Sequence, residues 1–160
     1  MGGHRNGGFD DLRAIVPYRA LDSHLAIMQT IEVQTEQRDQ FVEITREVQQ
    51  FVNRVHAGDG VVVVYVPHTT AGVTINENAD PDVVHDMLLT LDRLVPRNAQ
   101  GYRHGEGNSD SHVKASMMGS SCQVPVQVGR LALGTWQGVY LCEFDGPRLR
   151  KVHLQWLAGT

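Results

Sequence analysis

The side chains equipped for chemistry gather in two stretches, PHTTAGVTINENADPD (residues 67–82) and YRHGEGNSDSHVKAS (residues 102–116). Both put His, Asn and carboxylates into loops that abut strands or helix starts, where functional groups collect on a rigid scaffold. His68 directly follows an apolar run, and His104 and His112 stand eight residues apart. Three neutral imidazoles can hold a divalent metal at about 2.0–2.1 Å each and leave one position open for water or substrate. Their spacing matches no standard zinc signature, and the competing reading is that each ring hydrogen-bonds within its own loop. Glu77, Asn78 and Asp80 offer hard oxygens that suit Mg²⁺ bridged to a phosphate. Asn78 and Asp80 can equally shape a turn and cap a helix. The segment GNSDSHVK sets free backbone amides at a helix start beside Ser109, Ser111 and Lys114, an arrangement that favours a phosphate or carboxylate. Asp110 opposes an anion there unless a cation or a buried hydrogen bond offsets it. Arg148, after Asp145-Gly146-Pro147, can reach a phosphate or pair with Glu143 or Asp145.

Other candidates read as structural. His85 and His153 fall on solvent-facing positions of their elements. Cys122 reads as a small core or turn residue rather than a nucleophile. Trp136 reads as core or interface.

The elements that must position these residues follow from periodicity. Leu25–Thr35 alternates Ile27, Gln29, Ile31 and Val33 on one face, a strand pattern. Polar TEQRDQ makes a turn. Thr45 caps a helix carrying Val48, Phe51, Val52 and Val55, which His56 and a left-handed Gly58 close. Val61–Pro67 is a continuous apolar run, read as a central strand buried on both faces. Gly72–Ile75 is a short strand. Asp80-Pro81 announces a second helix with a buried stripe of Val83, Val84, Met87, Leu88, Leu91 and Leu94. Ser109 or Asp110 caps a third helix that runs to about Met118 and closes at Gly119. The last 37 residues hold four strand patterns, VPVQV, LALGTW, VYLCEF and KVHLQW, with glycines and Asp145-Gly146-Pro147 as breaks. Five or more strands and three helices predict one α+β domain with mostly antiparallel sheet. Residues 1–25, glycine-rich at the start, read as a flexible extension, and residues 26–160 as the domain.

Composition bounds the function. A chain of 160 residues buries a real core in a single domain. Val, with 21 copies, favours sheet. A formal net charge of −4 argues against nucleic-acid binding through a broad basic surface. Two cysteines make no disulfide framework and suit a reducing compartment. No apolar run reaches the roughly 18 residues of a membrane span. The expected location is the cytoplasm, with no membrane partner.

HTTAGVTINENADPDV, YRHGEGNSDSHVKAS, LALGTWQGVYLCEFDGPR and KVHLQWLAG, in that order, resemble the YjbQ family. These are small bacterial and archaeal proteins often described as secondary thiamine-phosphate synthases. The resemblance covers roughly Met28 to Gly159. It implies an α/β sandwich-like fold, a homotrimer, and a polar cleft near a subunit interface. His68, Glu77, Asn78, His104, Asn108, Asp110, His112 and Lys114 fall on matching motif positions. His68, Glu77, His104 and His112 would be catalytic, the three histidines also ligating a divalent metal, Mg²⁺ or Zn²⁺. Asn78, Asn108, Ser109, Asp110, Lys114 and Arg148 would hold a small phosphorylated substrate. The implied reaction joins hydroxymethylpyrimidine diphosphate to a thiazole phosphate. The alternatives are a metal-dependent phosphohydrolase using the same histidines and a non-catalytic trimeric metabolite-binding protein.

Overall fold

Alternation along the first strand pattern does produce a strand, β1 (Ala26–Gln34), which runs antiparallel to the last, β8 (Leu149–Ala158). The computed structural model describes residues 26–159, so the expected extension of residues 1–25 lies outside the described residues. The remaining elements are β2 (Gln40–Glu43), α1 (Thr45–Arg54), β3 (Gly60–Tyr65), β4 (Ala71–Glu77), α2 (Pro81–Leu94), α3 (Ser109–Met118), β5 (Ser121–Gln127), β6 (Arg130–Leu131) and β7 (Gln137–Glu143). The strands form two antiparallel sheets, one of five strands in the order β1-β8-β3-β5-β6 and one of three in the order β2-β7-β4.

The main core lies between the inner face of the five-stranded sheet (Val62, Val64, Val124, Val152, Leu154), one face of the other sheet (Val73, Val139, Leu141) and α1, through Val48, Phe51 and Val52. Burying each such side chain is worth about 1.5–3 kcal/mol. The second face of the three-stranded sheet carries Phe41, Tyr140, Cys142 and Phe144, packed against Leu91 of α2 and Ala115 of α3. The strand covered on both faces is therefore β7, buried from Gly138 to Glu143. The Val61–Pro67 run was expected to fill that role. Instead β3 buries Val62 and Val64 and turns Tyr65 outward, because among the described residues no layer covers the outer face of its sheet.

Several local expectations shift by a residue or change role. Asp80 caps α2 as expected, its Oδ1 accepting from the Asp82 amide at 2.9 Å with Pro81 in the first turn. Of that helix's apolar stripe only Leu91 is buried, and Leu94 is 65 % exposed. Thr45 does not cap α1; its Oγ1 accepts from the Val139 amide at 2.9 Å and ties the helix start to β7. The left-handed residue after α1 is His56, with φ 49°, not Gly58. Asn108, not Ser109 or Asp110, occupies the N-cap position of α3. Trp136 is 63 % exposed and lies in the loop before β7 rather than in the core.

Candidate active site

β3 ends at Tyr65, opposite His153, while β8 continues to Leu149. Beyond that point the chain leaves the sheet, and the His68 ring takes the place of a ladder carbonyl. Its Nε2 accepts from the Lys151 amide at 2.8 Å. A ring nitrogen that accepts an N–H carries no proton of its own, so the proton of neutral His68 sits on Nδ1. Burial, and then the nearby Arg150 guanidinium, push the His68 pKa below its ordinary value, against an opposing pull from Glu143.

Beneath this loop lies a buried ion pair. Arg150 Nε meets Glu143 Oε2 at 2.6 Å, and Arg150 Nη2 donates to Thr70 Oγ1 at 2.8 Å. Glu143 also accepts from Thr35 Oγ1 at 3.0 Å and from the amides of Phe144 and Asp145 at 2.9 and 2.8 Å. Burial would raise the Glu143 carboxyl, but Arg150 and these donors outweigh it and hold it below the usual carboxylate range. The network fixes the loop that carries His68 against the loop that carries Asp145 and Arg148. The sequence reading passed over Arg150. Its signal was available: Arg150 is in phase with Val152, Leu154 and Trp156, the inward positions of β8.

α3 supplies the opposite wall. The Asn108 side chain makes no capping bond; its Nδ2 donates to Asp145 Oδ2 at 3.1 Å. Its Oδ1 is buried and, among the described residues, has no hydrogen-bond partner. The reversed amide would set that oxygen against the Asp145 carboxylate, so the orientation is fixed by its neighbour. Arg148 donates to the Asp145 carbonyl through Nε and pairs with Asp145 Oδ2 through Nη2, both at 2.7 Å, and its side chain is 53 % exposed. The Arg148 and Asn108 contacts outweigh burial and hold the Asp145 carboxyl below its ordinary value. His112 lies in the first half of α3, and the His104 ring meets it edge-on with centroids 5.4 Å apart.

Two adjoining cavities result. One, of about 340 Å³, is lined by His68, Asn108, His112, Asp145, Arg148 and neighbouring loop residues. The other, of about 500 Å³, extends from His68 and His112 along Ala115, Ser116 and Gly119. His68 and His112, 44 residues apart in the chain, line both. A third hollow of about 400 Å³ along α2 is walled mainly by Val83, Met87, Leu91 and Met118 and offers little to a reaction.

The other expected site residues are placed elsewhere. Lys114 and Asp110 are wholly buried: Lys114 Nζ lies 2.7 Å from Asp39 and 3.3 Å from Asp110, and Arg38 holds both Asp110 oxygens at 2.9 and 3.0 Å. Burial alone would raise the Asp110 carboxyl, yet the hydrogen bonds and charges of Arg38 and Lys114 keep it below the usual range. The charge that offsets Asp110 is thus Arg38 and Lys114, and Lys114 is committed to carboxylates rather than open to an anion. Ser109 opens α3 and is partly buried. Glu77 and Asn78 lie at the far end of β4, about 20 Å along the strand from Ala71. There Asn78 Nδ2 donates to Glu43 Oε1 at 2.9 Å, and the Glu77 carbonyl accepts from Tyr140 Oη at 3.0 Å.

The expected three-imidazole metal set does not form among the described residues, where no three His, Cys, Asp or Glu side chains come together to hold an ion. His68 shows why: with Nε2 occupied by an N–H and the proton on Nδ1, neither nitrogen has a lone pair to give. His104 and His112 meet, but the nearest carboxylate to His104 is Glu106 at 3.6 Å, exposed to solvent. Cys122 is pushed up to about 11 by burial, and burial raises Cys142 further, so neither is a thiolate nucleophile at neutral pH.

A family model described as UPF0047 protein YjbQ-like matches residues 29–159. The Bacillus subtilis UPF0047 protein YugU is 49 % identical over 129 residues, 81 % of this chain and 98 % of the relative. A crystal structure from Clostridium acetobutylicum, of a protein of the YjbQ/UPF0047 family, is 52 % identical, covers 79 % of this chain and 97 % of its own, and superposes with a TM-score of 0.77. A YbjQ-like structure from Sulfolobus solfataricus, 28 % identical and covering 84 % and 98 % of the two chains, gives 0.79. Fold, motif order and near end-to-end similarity agree, and the chain belongs to the UPF0047 (YjbQ-like) family.

Proposed function

We propose that this protein is a small-molecule transferase acting on a phosphorylated substrate in the His68–His112 cavity, of the thiamine-phosphate synthase type. One observation carries the reading: two imidazoles from distant segments share a hollow with a half-exposed guanidinium, Arg148, and a helix start that its own N-cap side chain leaves uncapped. An anion is favoured at such a place by the amide dipoles and the arginine together. In the reaction, the carbon–oxygen bond to diphosphate breaks, diphosphate leaves with the electron pair, and the thiazole nitrogen forms the new bond to the pyrimidinylmethyl carbon. Arg148 and the start of α3 hold the leaving phosphates, and His112 gives a proton to the departing diphosphate. The nearby carboxylates do not fit a metal in this chain. Asp145 is held by Arg148 and Asn108, Asp110 by Arg38 and Lys114, and Glu143 by Arg150. No step is therefore routed through an ion, and the phosphohydrolase alternative, which needs one, is the weaker reading.

Incubating the purified protein with hydroxymethylpyrimidine diphosphate and thiazole phosphate tests the proposal. Thiamine phosphate should form, and His112→Ala should slow it by about 100-fold or more with the fold intact. No product above a protein-free blank contradicts it, and binding without turnover would mark a metabolite-binding protein instead. The same proposal places the protein in the cytoplasm, without nucleic-acid or membrane partners, as a homotrimer. Among the described residues no helix is long and apolar enough to cross a membrane.

A further inference from the structure

His68 and Asn108 line the same cavity, and among the described residues each has one hydrogen-bonding group without a partner. His68 has Nε2 bound to the Lys151 amide, so Nδ1–H is the ring group left for a ligand. Asn108 is 7 % exposed, its Nδ2 is spent on Asp145, and its Oδ1 is a buried acceptor without a donor. Leaving such an acceptor unpaired is costly, so the site gains when a ligand brings a donor to it. His68 Nδ1–H can donate to an anion, but an oxyanion supplies no hydrogen for Asn108, so the two groups together call for more than an anion. We propose that His68 Nδ1–H and Asn108 Oδ1 act as a donor–acceptor pair that recognises a neutral ligand group able both to accept and to donate, a hydroxyl or an amino-substituted heteroaromatic edge, beside the anion held at Arg148. His68 is then a fixed binding donor rather than a base or a metal ligand, and proton transfer falls to His112. The inference rests on reading the His68–His112 cavity as the ligand site and does not depend on which reaction follows.

Nitrogen NMR of the intact protein at pH 7.5 reads the tautomer directly: His68 should carry its proton on Nδ1, and a proton on Nε2 would overturn the assignment. Recognition is read with two pairs of probes, glycerol 3-phosphate against propyl phosphate and 4-aminopyrimidine against pyrimidine. The donor-bearing member of at least one pair should bind about fivefold tighter, the worth of one neutral hydrogen bond. That ratio should fall to near unity in Asn108→Ala, which removes the acceptor that the extra donor meets, and should persist in His68→Gln, whose amide oxygen can accept from Lys151 while its amide nitrogen still donates. Equal binding within both pairs, or no binding by all four probes, refutes the pair. Should Asn108→Ala not fold, the near-isosteric Asn108→Leu decides in its place. A transferase assay without product leaves this result standing, and probes bound without discrimination leave the transferase reading standing, so the two fail separately.

Discussion

Single side chains here divide into those committed to the fold and those left open to a ligand, and burial with hydrogen bonding decides which. Lys114 looks like an anion-binding lysine in the motif GNSDSHVK, yet it is wholly buried between Asp39 and Asp110. Lys114→Met would strand two carboxylates with only Arg38 to face them, and should cost about 3 kcal/mol of stability in chemical denaturation. Arg148 looks like a surface ion pair and is the cation that remains half exposed at the cavity. Local sequence cannot separate these two cases, because the difference lies in Arg38 and Asp39, more than 70 residues upstream of Lys114. Titration follows the same partition. Glu143, Asp110 and Asp145 are held below the usual carboxylate range, so the fold favours their charged forms. Their contribution is complete above the unfolded pKa of about 4 and is lost as pH falls through the lower folded values. His68 is also lowered, so its neutral form is favoured; its contribution is full above about pH 6.5 and declines as pH falls below that. Thermal melts should therefore show a shallow loss beginning below about pH 6.5 and a steeper one below about pH 4, and Glu143→Gln should flatten the steeper step.

At the scale of elements, the site is made where strands stop. β3 ends opposite His153, four residues short of the end of β8 at Leu149, and His68 meets Lys151 in the gap; α3 then closes the cavity from the side of β4. Gly72 lets those two meet: a Cβ there would lie 2.7 Å from the Gly119 carbonyl, while the Val73 amide donates to that same oxygen at 3.0 Å. Gly72→Ala should push α3 off β4, cost about 1–3 kcal/mol, and weaken ligand binding at the cavity more than Asp80→Ala, a cap loss of about 1 kcal/mol on α2. Denaturation curves and probe binding on the two variants check the contrast. Periodicity found α1, α2 and most strand cores, a cap and a closing glycine marked α3, and the Asp80-Pro81 signal marked the start of α2 to the residue; of the LALGTW strand pattern only Leu131 lies in a strand. It missed β2, a four-residue strand inside a polar stretch, because Gln40–Glu43 is too short to establish alternation. It misjudged β3 and β7 because an apolar run reports burial without saying which sheet has a layer on each side.

For the whole molecule, the two sheets and three helices of the described residues leave Leu89 and Leu94 of α2 and Met117 of α3 exposed. The proposed homotrimer should give a mass in solution of three chains, and a single-chain mass would contradict it. The domain class was legible from the sequence because alternation and caps are local. The lining of the candidate cavity was legible only in part. His68, His112 and Arg148 stood out by type and place and Asn108 through the family resemblance, whereas the separation of Glu77 and Asn78 from them follows from the length of β4 and the pairing of β4 with β7. The central claim is that an anionic ligand enters between His68 and His112. Mapping inorganic diphosphate onto the protein by NMR tests it most directly. Perturbations should centre on His68, Asn108, His112 and Arg148 and vanish in Arg148→Ala. Perturbations confined to the α2 groove, or none at millimolar diphosphate, would contradict it.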